Sequence, residues 1–288
     1  MRIACFGKLA QCGVYMKFIG LGGKYALKNC WWLMLIWLIP SIFVGLCCAP
    51  FGIIRFLNIY PQTAISDFAD VFKILLPVSW LKVVFVLLGI LLVSLFLSMA
   101  VGQAEGHMRS GKLNFKEIFS YINNDILVVL VNVVIIEILY LALTFILGSV
   151  VFLFHLITSG LTNVPSTLCV IIAIVLSVAT LLIYLVTSAL FLINIPNMIS
   201  NGYSLKEGVS STAELIGKSA FKLVLAYLLP FVIIIPLISL LCKTSVWWLG
   251  NIISCLIMAT YYTGLTMSAY FELSDTSRYD NRKYYNYR

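Results

Sequence analysis

Charge is what this sequence has least of. Of 288 residues only 10% are Asp, Glu, Lys or Arg, whereas 62% are hydrophobic. A soluble domain carries roughly 25% charged residues, so this chain cannot cover a water-facing surface and needs lipid as solvent. Histidine is nearly missing: His107 and His155 are the only two and fall on opposite sides of the apolar segments. No cluster with metal-ligand spacing can be built from them, and Glu105-x-His107 reads as a solvated turn. None of the eight cysteines forms a CxxC pair. Cys47, Cys48, Cys169 and Cys242 share one side and admit a disulfide, although small apolar cysteines are common within such segments. There is no GxSxG elbow and no Ser/His/Asp set. Gly20-Leu-Gly-Gly23 follows no strand and precedes no Lys-Ser/Thr pair, so it reads as a flexible hinge rather than a phosphate loop. Leu9-Ala-Gln-Cys12 lacks the preceding apolar core of a lipobox or signal peptide. These absences speak against a soluble enzyme, a metal site and a cofactor.

What is present is a series of apolar runs. They cover about residues 29–48 with Pro40 inside and Trp31 and Trp32 at headgroup depth, 75–101, 126–156, 167–195, 221–241 with Pro230 and Pro236, and 246–270 opening on Trp247 and Trp248. Each reaches the roughly 20 residues that a transmembrane helix needs. The third and fourth exceed it and must tilt, bend or protrude. The expected class is an all-α polytopic membrane helix bundle, six transmembrane helices in three hairpins, with amphipathic interfacial helices on the cytoplasmic side. Three parts follow: a basic interfacial segment at 1–28, a membrane domain at 29–270 and a Tyr/basic tail at 271–288. Residues 50–74 read as the longest outer loop, with Ser66 as cap of a short amphipathic stretch carrying Asp67, Asp70 and Lys73.

The positive balance, 19 bases against 11 acids, follows topology. With the N-terminus inside, only Arg55, Lys73, Lys82 and Lys243 fall outside, and the asymmetry puts both termini in the cytoplasm of a bacterial plasma (inner) membrane. The expected partners are the bilayer, with anionic headgroups on the cytoplasmic face, and a further membrane protein; nucleic acid is not expected. The tail Ser277-Arg-Tyr-Asp-Asn-Arg-Lys-Tyr-Tyr-Asn-Tyr-Arg288 interleaves bases and tyrosines, a pattern that suits headgroups better than RNA stacking.

The two internal cytoplasmic loops match in register. Met108, Ser110, Lys116 and Glu117 align with Met198, Ser200, Lys206 and Glu207. Asn114 and Ser204 take the N-cap; Ser204 with Glu207 forms a capping box, and Asn114 with Glu117 a looser version. Gly111 and Asn201 supply the turns. After each cap, apolar residues recur at helical spacing: Phe115, Ile118, Phe119, Ile122 and Ile126, then Leu205, Val209, Thr212, Ile216 and Ala220. Both should be helices lying on the inner leaflet before the next span. A further match links Lys28 and Trp37-Leu-Ile-Pro40 to Lys218 and Tyr227-Leu-Leu-Pro230, so each outward-going span is entered through one repeated device.

This entry pattern, a turn, Ser-Leu-Lys-Glu, an amphipathic helix, a lysine and a span, resembles a broad family of uncharacterised bacterial six-span membrane proteins. They are domain-of-unknown-function families similar to the membrane domain of glycerophosphoryl diester phosphodiesterases. The ending Met267-Ser-Ala-Tyr-Phe271…Arg278-Tyr-Asp280 is similar to tails in that set. The resemblance implies architecture only, because the phosphodiesterase's catalytic domain is soluble and has no counterpart here.

Glu137 is the only acid deep inside a span. A carboxylate at the bilayer centre costs about 2.5–3.5 kcal/mol on insertion scales, so it needs a role or a partner. One reading is a proton or cation site; the other is a protonated acid bonded to Asn132, Tyr140 or a hydroxyl on another helix. Lys82 lies higher in its span and should snorkel outward rather than pair with it. Ser177, Thr180, Thr187, Ser188, Thr260 and Thr263 suit close helix packing. The leading expectation is a non-enzymatic scaffold or accessory to transport or envelope processes. The alternative is a small permease or exporter subunit using Glu137.

Overall fold

The computed structural model describes residues 17–48, 50–76, 79–159, 164–241 and 244–280. The segment before Lys17, Cys242 and the tail beyond Asp280 lie outside the described residues, with the expectations placed on them. Among the described residues there is no strand. Six helical stretches are long and apolar enough to cross a membrane, giving the length and composition of a multi-pass membrane protein.

The helices in order are α1 (Lys17–Lys28), α2 (Cys30–Cys47), α3 (Gly52–Ile59), α4 (Phe68–Leu75), α5 (Trp80–Ser110), α6 (Ile118–Ser159), α7 (Thr167–Asn201), α8 (Leu205–Ile216), α9 (Ala220–Leu228), α10 (Phe231–Leu241) and α11 (Trp247–Leu273). Their limits follow local chemistry. Ser79 and Ser166 cap α5 and α7 by accepting from the amides of Lys82 and Cys169 at 3.4 and 3.2 Å. Gly111 and Gly202 end α5 and α7 in the left-handed region, at φ 71° and 66°, each donating back into the last turn. The second turn is therefore made by Gly202, while Asn201 is still helical. The match between the two loops slips by a residue there.

The core is built around α11. On one side α1, α2 and α5 enclose Trp32, Leu33, Ala100, Met108, Met267 and Phe271. On the other, α7, α9 and α10 enclose Leu185, Ile193, Leu223, Ile234 and Leu265. Small residues let backbones approach: a Cβ on Gly22 would stand 2.8 Å from Leu265 Cα, and one on Gly45 would stand 2.7 Å from the Ile252 amide nitrogen. Gly20–Gly23 is thus no hinge. It lies inside α1, which packs along α11 with Gly22, Tyr25 and Ala26 buried. Trp32 is likewise turned inward and fully buried, whereas Trp31 is exposed.

Proline breaks are repaired by the same mast. Pro230 has no N–H, which leaves the Ala226 carbonyl without its ordinary helical donor. Tyr261 on α11 donates to that carbonyl at 3.0 Å, and Tyr262 to the Tyr227 carbonyl at 2.8 Å. Thr263 and Thr266 also join helices, accepting from Trp37 Nε1 at 3.0 Å and pairing with the Tyr227 hydroxyl at 2.7 Å.

The expected outer loop is instead packed helix. Phe56, Tyr60, Ile65, Val71 and Leu75 are buried with Leu147, Val151 and Cys169 against the far ends of α6 and α7. This accounts for the surplus length of α6: its 42 residues span about 63 Å at helical rise, against roughly 30 Å of hydrocarbon. The excess carries α3 and α4. Asp67, not Ser66, caps α4; it accepts from the Asp70 amide at 2.9 Å, and Asp70 accepts in return from the amides of Asp67 and Ser66. Ser66 is one residue too early because the extended backbone that a cap requires falls at Asp67. Cys169 bonds Tyr60 Oη at 2.9 Å, and Cys47, Cys48 and Cys169 are all free thiols.

The two matched loops diverge in structure. Before the third span, residues 115–117 make a single 3-10 turn and the helix then runs unbroken into the membrane segment, so no separate helix precedes it. Asn114 does not cap through its side chain; its amide donates to Glu117 Oε1 at 2.6 Å. Before the fifth span a separate helix does form. Glu207 accepts from the Ser204 amide at 3.0 Å and from its hydroxyl at 2.6 Å. The buried side of α8 is Gly208, Thr212 and Ile216. These bonds, the hydroxyl's first, hold the Glu207 carboxyl below the ordinary carboxylate range. A depressed folded value adds stability above the unfolded pKa and loses it as pH falls through the folded one. Protection of the amides over residues 205–216, corrected for the intrinsic exchange rate at each pH, should therefore fall in acid, and Ser204→Ala should lower it roughly fivefold at neutral pH.

Candidate functional site

Between the helices lies a half-open cavity of about 340 Å³. Its walls come from α2, α3, α5, α6, α7, α10 and α11, and Glu137 is the one charged side chain among its lining residues. Glu137 sits near the middle of α6. Among the described residues no hydrogen bond or ion pair reaches its carboxylate. Lys82 does not pair with it.

Tyr140, one turn along on the same face of α6, also lines the cavity, with its ring 5.2 Å from that of Tyr184 on α7 in an edge-to-face pair. Its hydroxyl lies against the first turn of α3 at Gly52 and Ile53. Cys48, Cys255, Ser41, Ser188 and Tyr262 add to the polar lining with Thr263 and Thr266, and the Ser41 and Ser188 hydroxyls are buried without a partner. The remaining wall is aliphatic and aromatic, including Trp37 and Phe231. A pocket that is mostly apolar with a few convergent polar groups is the usual form of a small-molecule site.

Asn132 is not part of this chamber. It is fully buried on another face of α6, donating to the Val128 carbonyl at 2.8 Å and accepting from Asn194 Nδ2 at 2.9 Å. Asn194 Oδ1 in turn accepts from Thr212 Oγ1 at 3.1 Å, and Thr212 accepts from Asn197 Nδ2 at 2.9 Å. Asn201 donates to Asn197 Oδ1 at 2.9 Å. This chain of amides ties α6 to α7 and both to α8. It is the group that sequence reasoning missed, although Asn194, Asn197 and Asn201 share one helical face.

A second polar cluster holds the end of the chain. After α11 the backbone turns at Asp275 and Tyr279 donates its amide to the Met108 carbonyl at 2.7 Å. Arg278 is 7% exposed and makes a bidentate pair with Asp280 at 3.1 and 2.9 Å while lying over the Tyr25 ring. Tyr25 Oη stands 3.1 Å from His107 Nδ1. Burial, reinforced by the Asp280 carboxylate, pushes the Tyr25 phenol up, so it keeps its proton. Removing Asp280 leaves a buried guanidinium uncompensated, which costs about 3–5 kcal/mol. Asp280→Ala should therefore release the strap, and trypsin should cut the detergent-solubilised variant after Arg278 at least tenfold faster than the parent, as followed by mass spectrometry.

Among the described residues no group of three or more His, Cys, Asp or Glu side chains is placed to hold a metal ion. Comparison with protein-family models, curated proteins and solved structures returns no match.

Proposed function

We propose that this is a non-enzymatic inner-membrane protein of the permease or exporter-subunit type, working through the chamber that Glu137 faces. The observation that carries the reading is an unpaired carboxylate set at mid-span on the wall of an otherwise apolar cavity. An ionisable group in that position marks a substrate or ion pathway by default, because insertion selects against it otherwise. The scaffold or accessory reading rests on the lack of a catalytic constellation in the sequence and on α8, and is the weaker of the two.

In this reading the spans form three hairpins entered from the cytoplasm. The end of the bundle that bears α1, α8 and the strap faces the cytoplasm, and α8 lies along the inner leaflet. Exposed Lys24, Lys112, Lys116 and Lys206 at that end meet anionic headgroups. Glu137 exchanges a proton for cargo.

Proteoliposomes loaded with a small-molecule cell extract test the proposal by mass spectrometry. The parent should empty at least one component in a pH-dependent way, and Glu137→Gln at equal incorporation should slow that loss at least tenfold. Equal emptying by the two proteins sinks the reading, as does no emptying by either.

A further inference from the structure

We infer that the chamber takes a hydrophobic organic monocation, an ammonium or phosphonium whose charge is borne on an apolar body, held between Glu137 and the Tyr140–Tyr184 pair. The inference rests on the permease reading and names the cargo class for the same cavity.

Elimination among chemical classes carries most of the argument. An anion would meet Glu137 with no Lys, Arg or His on the lining to offset it. A sugar or other polyol needs many hydrogen-bond partners; Ser41 and Ser188 offer unpartnered hydroxyls, but three of the other lining hydroxyls are engaged. Thr263 is bonded to Trp37, Thr266 to Tyr227, and Tyr262 to the Tyr227 carbonyl. A bare metal cation requires several oxygen ligands to replace its water, typically 6–8 for calcium, and one carboxylate cannot supply them. A neutral apolar molecule would gain nothing from a mid-span carboxylate.

A weakly hydrated organic cation fits each feature in turn. Its body loses little on leaving water and gains contact with the aliphatic wall. Its charge meets one carboxylate. The rings of Tyr140 and Tyr184, on the same lining as Glu137, add the quadrupole attraction that aromatic groups offer to onium ions. The volume, about 340 Å³, falls at the small end of the roughly 300–1,000 Å³ of ligand pockets. A compact molecule of a few rings suits it better than a lipid with two chains. Proton and cargo then compete for the same oxygen atoms, which supplies the exchange that the permease reading requires.

The test uses two ions of one shape and opposite charge, tetraphenylphosphonium and tetraphenylborate, bound to the purified full-length protein in nanodiscs with empty-disc partition subtracted. The phosphonium should bind the parent and weaken at least tenfold in Glu137→Gln, while Glu137→Asp keeps most of the affinity. Tyr184→Leu should lose about three- to thirtyfold, the range of a desolvated cation–π contact. Binding should weaken as pH falls. The borate should show no protein-dependent binding. Size-exclusion profiles matching the parent's show that each variant is folded.

Equal binding of both ions, or phosphonium binding indifferent to Glu137→Gln and to Tyr184→Leu, overturns the inference. No phosphonium binding together with Glu137-dependent emptying of another component overturns the cargo class and leaves the permease reading standing. Failure of both experiments removes both.

Discussion

Gly22→Ala should lower the stability of the protein, while Gly23→Ala one residue on should raise it. The helix is the same and the substitution is the same, so intrinsic propensity predicts a gain of roughly 0.5–1 kcal/mol at either site. At Gly23 nothing stands within 4 Å of the added carbon, and the gain is realised. At Gly22 the carbon meets Leu265 Cα at 2.8 Å, and Cβ and Cδ1 at 3.1 and 3.0 Å. Backbone cannot swing aside as a long side chain can. Separating the helices also disturbs the reciprocal contact, where Gly264 faces Ala26 and the Gly22 carbonyl. Overpacking of this kind costs about 1–3 kcal/mol, which outweighs the propensity term. Thermal unfolding in detergent, followed by size-exclusion chromatography, should separate the two alanines by several degrees in opposite directions from the parent. Matching shifts would mean that α1 does not pack on α11 as described.

Asn194→Ala should free α8 from the bundle. Asn194 gives one bond to Asn132 and takes one from Thr212, so its loss strands two buried partners on separate helices. Interhelical hydrogen bonds in membrane proteins average about 0.6 kcal/mol and reach about 1.7. Only the Thr212 bond crosses to α8, so its loss should raise amide exchange over residues 205–216 by roughly three- to twentyfold. The pair Asn132→Ala and Asn194→Ala supplies a control. If the amides act through each other, the double variant should be little worse than Asn194→Ala alone. Strict additivity would show that they act separately.

Glu137 stands out in the sequence because an acid is conspicuous against apolar neighbours. Its surroundings were only half legible. Tyr140, three residues on, falls about 60° away around the helix and does share the chamber, whereas Asn132, five residues back, falls about 140° away and cannot. Helical geometry alone separates these two, and the Asn132 pairing fails on it. Tyr184 is brought to the same cavity by packing of α7 on α6, and no local pattern announces it. The same holds for Gly22, whose neighbour is more than 240 positions distant, and for Tyr261, whose bond to the Ala226 carbonyl stands in for the donor missing at Pro230. The capping box at Ser204 was readable because all its atoms lie within four residues. Its counterpart at Asn114 was overread: the residue types match, but the following helix continues into the span. The basis is the long apolar run from Ile118 onward, which offers no break.

The strap and α1 also bear on how the chain is made. Lys28 reaches the carbonyl of Asp280, 252 residues later, and Trp37 finds its acceptor 226 residues on. Helices are inserted as they emerge from the ribosome, so the face formed by α1 and α2 waits for its partner until α11 has been made. During that interval Tyr25, Trp32 and Trp37 have no α11 to cover them. A nascent chain truncated before Trp247 should be a quality-control substrate however well its other helices have inserted. α11 then docks against both α1 and α2, and the Arg278–Asp280 pair closes the strap beside them.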